Sequence, residues 1–395
     1  MCSQLRFITT IFFLAVMSLD LAADELRPQR LQSKIANVQP MTGIVVWSTN
    51  EAASTAPIQL EFAYLKYNQV VQEKGKYNWQ PVERLLDEIA GRKHQAILRW
   101  HDTYVGEPTG APAFIKALPN YREITEKSEN KLTGFPDWSN QEWQAFVLEF
   151  YTRFAEKYDR DPRLAFVQVG FGLWAEYHIY DGPMKPGETF PDKDYQRTFI
   201  RHLTSRFRET PWMISVDAAG DHAPFAEDAL LSKSPFGIFD DSFNHQRHEK
   251  ENEPNWHIFG MDRWKRAPTG GEFSFFRKKD QKDALAPNGP YGIPFAEQAA
   301  KFHVSFIIGD DQGEEDSGEK GEELETAFEV TLHDCIIIPL QTVHAVGGTG
   351  DDLSGKTRQL QHLAEEPGLL AETKRRGFDG LHYSHTIRVI IMDFV

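Results

Sequence analysis

Between residues 43 and 308, short apolar segments of β character alternate with amphipathic segments of helical period, and this alternation most narrows the folds open to the chain. The β-type segments are Gly43 to Ser48, Leu60 to Tyr67, Ala96 to Trp100, Phe166 to Trp174, Trp212 to Asp217, Gly237 to Asp240, Gly271 to Phe275 and His303 to Ile308. Helical period marks Pro81 to Arg92 and Asn140 to Tyr158. In the second of these, Trp143, Val147, Phe150, Tyr151 and Phe154 recur every three or four residues, a stripe that belongs in a core. The alternation implies a parallel sheet, and eight strands are the number that closes one, so the expected fold is α/β, a (β/α)8 TIM barrel. A doubly wound open sheet uses the same alternation, but no glycine-rich phosphate turn follows the first segment.

The barrel is expected over residues 42–311. Ahead of it, Arg6, the apolar run Ile8 to Leu19 and the small residues before Asp24 read as a secretory signal over residues 1–23, with a polar lead-in over 24–41. The run is shorter than the about 20 residues that a membrane span needs, so no stable membrane association is expected after cleavage. Of the two cysteines, Cys2 leaves with the signal and Cys335 cannot pair internally; export without disulfides points to a periplasmic or secreted bacterial protein. Residues 312–325 read as an acidic linker without calcium-loop spacing, since Glu315 stands where the sixth-position glycine belongs. Residues 326–395 form a short, poorly patterned C-terminal extension of unknown role. The net charge of −15 argues against nucleic acid as a partner, because phosphate binders present a basic face.

In a barrel, the C-terminal ends of the strands converge on one site, and here those ends are polar. They offer Trp47, then Arg99, Trp100, His101 and Asp102, then Trp174, Glu176 and His178, then Asp217, then Asp240 and Asp241, and finally Glu272. Period-2 alternation along a strand from Phe166 would set Trp174, Glu176 and His178 on one face and Leu173, Ala175 and Tyr177 on the other. Glu176, flanked by aromatics, is expected to have its pKa raised by desolvation, and Glu272 follows Gly270 and Gly271, which let the backbone approach a ligand. The pair suits a general acid/base and a nucleophile in a retaining glycosidase if the carboxyls stand about 5–5.5 Å apart, or an inverting one at about 6.5–9.5 Å. Arg99 is expected to hold the nucleophile ionised, the tryptophans to stack on sugar rings, and the remaining acids and histidines to grip hydroxyls.

The segment Gly172-Leu-Trp-Ala-Glu-Tyr-His178, the Gly270-Gly-Glu272 motif and the run from Tyr77-Asn-Trp79 to Gln95-Ala-Ile-Leu-Arg99 carry a resemblance. Residues 42 to about 311 resemble the β-galactosidase-like barrels of glycoside hydrolase clan A, and more narrowly an uncharacterised bacterial family of exported glycosidase-like barrels. The resemblance implies an acid/base after strand 4 and a nucleophile at the end of strand 7, the stations of Glu176 and Glu272. The clan places Asn before the acid/base, where this chain has Ala175, and its family members carry a trailing β-sandwich that is not recognisable after residue 311.

The sequence therefore points to an exported glycoside hydrolase acting on a carbohydrate substrate, with no cofactor and no metal. A carbohydrate-binding barrel without turnover and an exported interaction scaffold are the alternatives. His245 and His248, and His382 and His385, have a spacing seen in metal sites but no third ligand in reach, and read as solvated loops. No Gly-x-Ser-x-Gly elbow, phosphate loop, CxxC or HExxH motif appears.

Overall fold

A computed structural model describes residues 41–309, apart from 276, 278 and 291. The expected signal peptide, nearly all of the lead-in, the acidic linker and the C-terminal extension lie outside the described residues. Eight parallel strands close into a barrel in chain order: β1 (Gly43–Trp47), β2 (Leu60–Lys66), β3 (Gln95–His101), β4 (Leu164–Gln168), β5 (Trp212–Ser215), β6 (Gly237–Asp240), β7 (Thr269–Glu272) and β8 (Phe306–Ile308). β8 returns to β1 with Gly43 opposite Phe306 and Val45 opposite Ile308, so no edge is left open. The fold is a (β/α)8 barrel, as the alternation of segments implies.

Alternate residues of each strand face the interior, where Val45, Leu60, Phe62, Ile97, Phe166, Met213, Phe239, Phe306 and Ile308 form a dry plug. The opposite parity feeds a larger outer core between strands and helices. Helices α1 (Gln80–Gly91), α2 (Gln141–Tyr158), α3 (Lys193–Arg206), α4 (Glu249–Phe259) and α5 (Phe295–Phe302) cover it. α2 starts where it does because the Asn140 side chain accepts from the backbone N–H groups of Glu142 and Trp143 at 3.0 and 3.1 Å, filling two otherwise orphaned donors. Its stripe of Trp143, Val147, Phe150, Tyr151 and Phe154 is buried against the barrel. Among the described residues no helix is long and apolar enough to cross a membrane.

Four strand-end assignments change with the observed parity and boundaries, and β7 covers Thr269–Glu272 where Gly271 to Phe275 was expected. β4 stops at Gln168, six residues short of the expected Trp174, and the chain beyond it is a folded loop. Trp100 cannot stack on a ligand: it faces outward, fully buried against Tyr67, Phe150 and Phe154 with ring centroids at 6.0, 4.7 and 5.5 Å. Asp102 shares that outward parity. It is buried in the outer layer near Tyr67 and Tyr151, and its pKa is pushed up to about 7 by burial. Asp240 is likewise a structural group rather than a ligand grip. Its carboxylate accepts from Ser242 N at 3.0 Å, Asn252 Nδ2 at 2.7 Å and Trp256 Nε1 at 3.0 Å, fastening α4 to the end of β6.

At the opposite, N-terminal end of the strands, Glu61 of β2 is wholly buried and accepts from Arg92 Nε at 2.7 Å and Nη2 at 2.5 Å, with His94 Nδ1 at 2.7 Å. Burial works to raise its pKa, but the Arg92 and His94 contacts outweigh that and leave it below the ordinary value. A depressed carboxyl pKa stabilises the fold above the unfolded-state value and stops doing so as pH falls through the folded one. Glu61→Gln is therefore expected to cost about 2 kcal/mol in urea unfolding at neutral pH. The gap between parent and variant should shrink as the pH is lowered below the usual carboxylate range; a gap that grows there would contradict this account.

Candidate active site

The interior plug is capped by one buried cation. Arg99 projects inward from β3, and its guanidinium lies over the rings of Phe62, Tyr64 and Phe239 at 4.9, 5.3 and 4.3 Å from their centroids. Its Nε donates to Gln168 Oε1 at 2.7 Å, Nη1 to the Tyr64 hydroxyl at 3.0 Å and to Glu176 Oε1, and Nη2 to Glu272 Oε1 at 2.7 Å. Burial works against this charge, yet Glu272, Tyr64 and Glu176 raise its pKa above the ordinary value.

Glu272 is the last residue of β7. The strand before it carries no bulk: a Cβ on Gly270 would meet the Phe306 ring at 2.4 Å, so glycine lets Phe306 fill the plug beneath the carboxylate. Glu176 arrives differently. After β4 the chain folds back on itself, with Gly172 at φ +76° and Trp174, Ala175 and Tyr177 all in the left-handed region. Bonds from Tyr177 N to Phe171 O and from Leu173 N to His178 O, both 2.9 Å, close the loop, and Trp174 N donates to Thr103 O at 3.1 Å, tying it to the end of β3. Any side chain at Gly170 would place its Cβ 1.9 Å from Ala175 O. Leu173, Ala175 and Tyr177 are fully buried while Trp174 and His178 reach the open side, the division expected from strand alternation but produced here by a tight loop.

Glu176 and Glu272 thus stand on two nitrogens of one guanidinium. The shared fork brings one oxygen of each carboxyl to neighbouring guanidinium nitrogens, a closeness compatible with either separation. They are 7% and 3% exposed respectively. Burial pushes Glu176 up to about 7, with Arg99 opposing the shift and Glu272 adding to it. Glu272 is also raised by burial, held back by the charge and hydrogen bond of Arg99.

Around the pair, His178 Nδ1 sits 2.5 Å from Asp217 Oδ2, and its Nε2 lies 3.6 Å from Glu176 Oε2. Burial disfavours charge on His178, but the hydrogen bond and charge of Asp217, with Glu176, raise its pKa. Asp241 is raised well above its ordinary value by burial and then by Asp217 and Glu176, and its Oδ1 is buried without a hydrogen-bond partner. Among the described residues, Glu176, His178 and Asp241 are a group that could hold a metal ion, each offering one atom within 4.8 Å of the others. Trp47 stands beside Tyr64 at 5.1 Å, Trp174 lies 6.3 Å from His178, and His101, pushed down to about 3 by burial, stands as a neutral ring 5.1 Å from Tyr64.

The structure thus brings together Glu176, Glu272, Arg99, His178, Asp217, Asp241, Trp47, Trp174 and His101, and separates from them Trp100, Asp102 and Asp240. Two residues escaped the sequence reading. Tyr64 places its hydroxyl 3.4 Å from Glu176 Oε1, and Gln168 orients Arg99. The signal for Tyr64 was present, because it follows Leu60 and Phe62 at the same parity on β2.

The class of molecule is accordingly a (β/α)8 barrel with a carboxylate-rich site at the C-terminal ends of its strands. No protein-family model and no curated protein matches the sequence. Solved structures similar to the chain include endo-glycoceramidase II from Rhodococcus sp. in a cellobiose-like isofagomine complex, at 11% identity over 71% of this chain and 76% of that one, with a TM-score of 0.41. A GH5-4 broad specificity endoglucanase from an uncultured bacterium matches at 11% identity over 71% and 82%, with a TM-score of 0.43. A psychrophilic glycoside hydrolase family 10 endo-β-1,4-xylanase matches at 10% identity over 73% and 96%, with a TM-score of 0.40.

If Asp217 holds the proton on His178, Asp217→Asn should lower the His178 pKa. A nitrogen-detected NMR titration of the imidazoles reads this directly, and an unmoved His178 would show that Asp217 does not tune it.

Proposed function

We propose that this protein is an exported glycoside hydrolase that cleaves a carbohydrate substrate by a retaining, two-carboxylate mechanism. The observation that carries the reading is the sharing of one buried guanidinium by Glu176 and Glu272. Glu176, with its pKa raised to about 7, is protonated below neutral pH and donates its proton to the glycosidic oxygen as the bond breaks. Glu272, bonded to Arg99, supplies the carboxylate that attacks the anomeric carbon and is released from the glycosyl ester when Glu176, now a base, deprotonates water. Asp241, with its free acceptor, and His178 take hydroxyl donors of the sugar. Export rests on the signal-like residues 1–23.

One feature favours a second reading, a carbohydrate-binding barrel without turnover. Both carboxylates are tied to the same arginine and largely covered, and Ala175 stands where the clan has Asn. In that case glycans bind and no sugar is released.

On a panel of disaccharides and oligosaccharides of both anomeric forms, whose sugar leaving groups need a proton, Glu176→Gln is expected to lower kcat/KM by roughly 100-fold to 10,000-fold on the substrate that the parent cleaves. The parent's rate should fall above a pH of about 7, as Glu176 loses its proton, and proton NMR should show the product released with its anomeric configuration kept. Undiminished activity in Glu176→Gln would remove the mechanism.

A further inference from the structure

We propose that Trp174 and Tyr180 form a sugar-stacking platform at the rim, so that the substrate is an oligosaccharide extending from the carboxylate pair over the wall built by the loops after β3 and β4. The proposal rests on the glycosidase reading for the class of ligand and goes beyond it in naming the substrate's length and direction.

Aromatic rings lead outward from the pair. Tyr64 touches Glu176 and meets Tyr104 at 6.0 Å between centroids; Tyr104 meets Trp174 at 6.2 Å; Trp174 and Tyr180 lie 6.1 Å apart with their planes 23° from parallel. Exposure rises along this path, from a buried Tyr64 hydroxyl to Tyr180 at 56%. A large aromatic left open to water 5.4 Å from His178 is a feature that a ligand face can explain, and pyranose rings present apolar C–H faces of matching size.

Tyr180 is also held in place by a part of the chain that nothing else in the site explains. The loop after β3 carries a hairpin of Ile124–Ser128 and Lys131–Phe135. Its two turn residues, Glu129 and Asn130, are both left-handed, at φ 49° and 61°, the geometry of a tight turn that prefers Asn-Gly. A glutamate in the first position is not the choice of the turn, and an outlier of this kind points to a role outside it. Glu129 has one: its carboxylate accepts the Tyr180 hydroxyl, while its backbone N–H donates to Asp181 Oδ2 at 2.5 Å. Glu129 is thus a positioning residue, fastening the hairpin tip to the ring that forms the outer end of the platform.

The test uses the full chain carrying Glu272→Gln, to prevent turnover, titrated with cello-, xylo-, manno- and chito-hexasaccharides and the matching disaccharides, with tryptophan fluorescence as the readout. At least one hexasaccharide is expected to bind about tenfold more tightly than its disaccharide, the size of one good aromatic contact. Adding Tyr180→Ala should bring that ratio close to one; Glu129→Ala should reduce it and Glu129→Gln, which keeps an acceptor, should restore it. No binding by any hexasaccharide, no dependence on length, or a length dependence that survives Tyr180→Ala would each overturn the proposal. Length-dependent binding by a parent that cleaves nothing would instead remove the hydrolase reading and leave the platform standing.

Discussion

A guanidinium buried at the top of a dry barrel is the constraint on which the rest of the site depends. Removing a cation from water costs several kcal/mol, and this one is compensated on every side. Three aromatic faces lie beneath it, Gln168 takes its Nε, and two carboxylates and a phenol take its remaining nitrogens. The compensation works in both directions. Without Arg99, Glu176 and Glu272 would be two nearly covered acids with no opposite charge beneath them, and one or both would have to stay protonated. The position also follows from the strand: Ile97 fills the plug, Arg99 caps it and His101 stands above, all at one parity of β3.

That parity explains which parts of the site were legible in the sequence. Most of the strands could be found because they are short apolar runs between turn signals, and Arg99 and Asp241 stand at or just past the ends of such runs; the seventh, Thr-Gly-Gly-Glu, is not apolar, and the expected segment from Gly271 to Phe275 put Glu272 near its start rather than at its end. Trp100, Asp102 and Asp240 were drawn into the site by nearness in sequence alone. Once Arg99 and His101 face inward, Trp100 and Asp102 must face the helices, and once Phe239 joins the plug, Asp240 must face α4. Tyr64 obeys the same rule and could have been included by it.

The end of β4 was hidden for a different reason. Phe166 to Tyr177 reads as one apolar run because the loop after Gln168 buries Phe171, Leu173, Ala175 and Tyr177 as thoroughly as a strand would. The local sign of a fold-back was Gly170 and Gly172, whose spacing lets backbone oxygens approach where a side chain would clash. The rim hairpin was less accessible still. Its bond to Tyr180 joins residues 51 apart, and no periodicity encodes a contact of that kind.

The site's charges finally bear on which acid can do what. Glu176, Glu272, Asp217 and Asp241 crowd a space around one permanent cation, Arg99, and in a medium of low dielectric four ionised carboxylates cannot be held there without strong mutual repulsion. Protons must therefore be retained, and burial and contacts decide where. Asp241 has no donor on its buried oxygen and is raised well above its ordinary value; Glu176 shares Arg99 but meets Glu272 and Asp217 as well, and is raised to about 7. Glu272 keeps a 2.7 Å charge-assisted bond and, apart from burial, only opposing shifts from Arg99 and His178. The difference between the two glutamates thus arises from the company each keeps around one cation, and it runs in the direction that a proton donor facing an ionised partner requires.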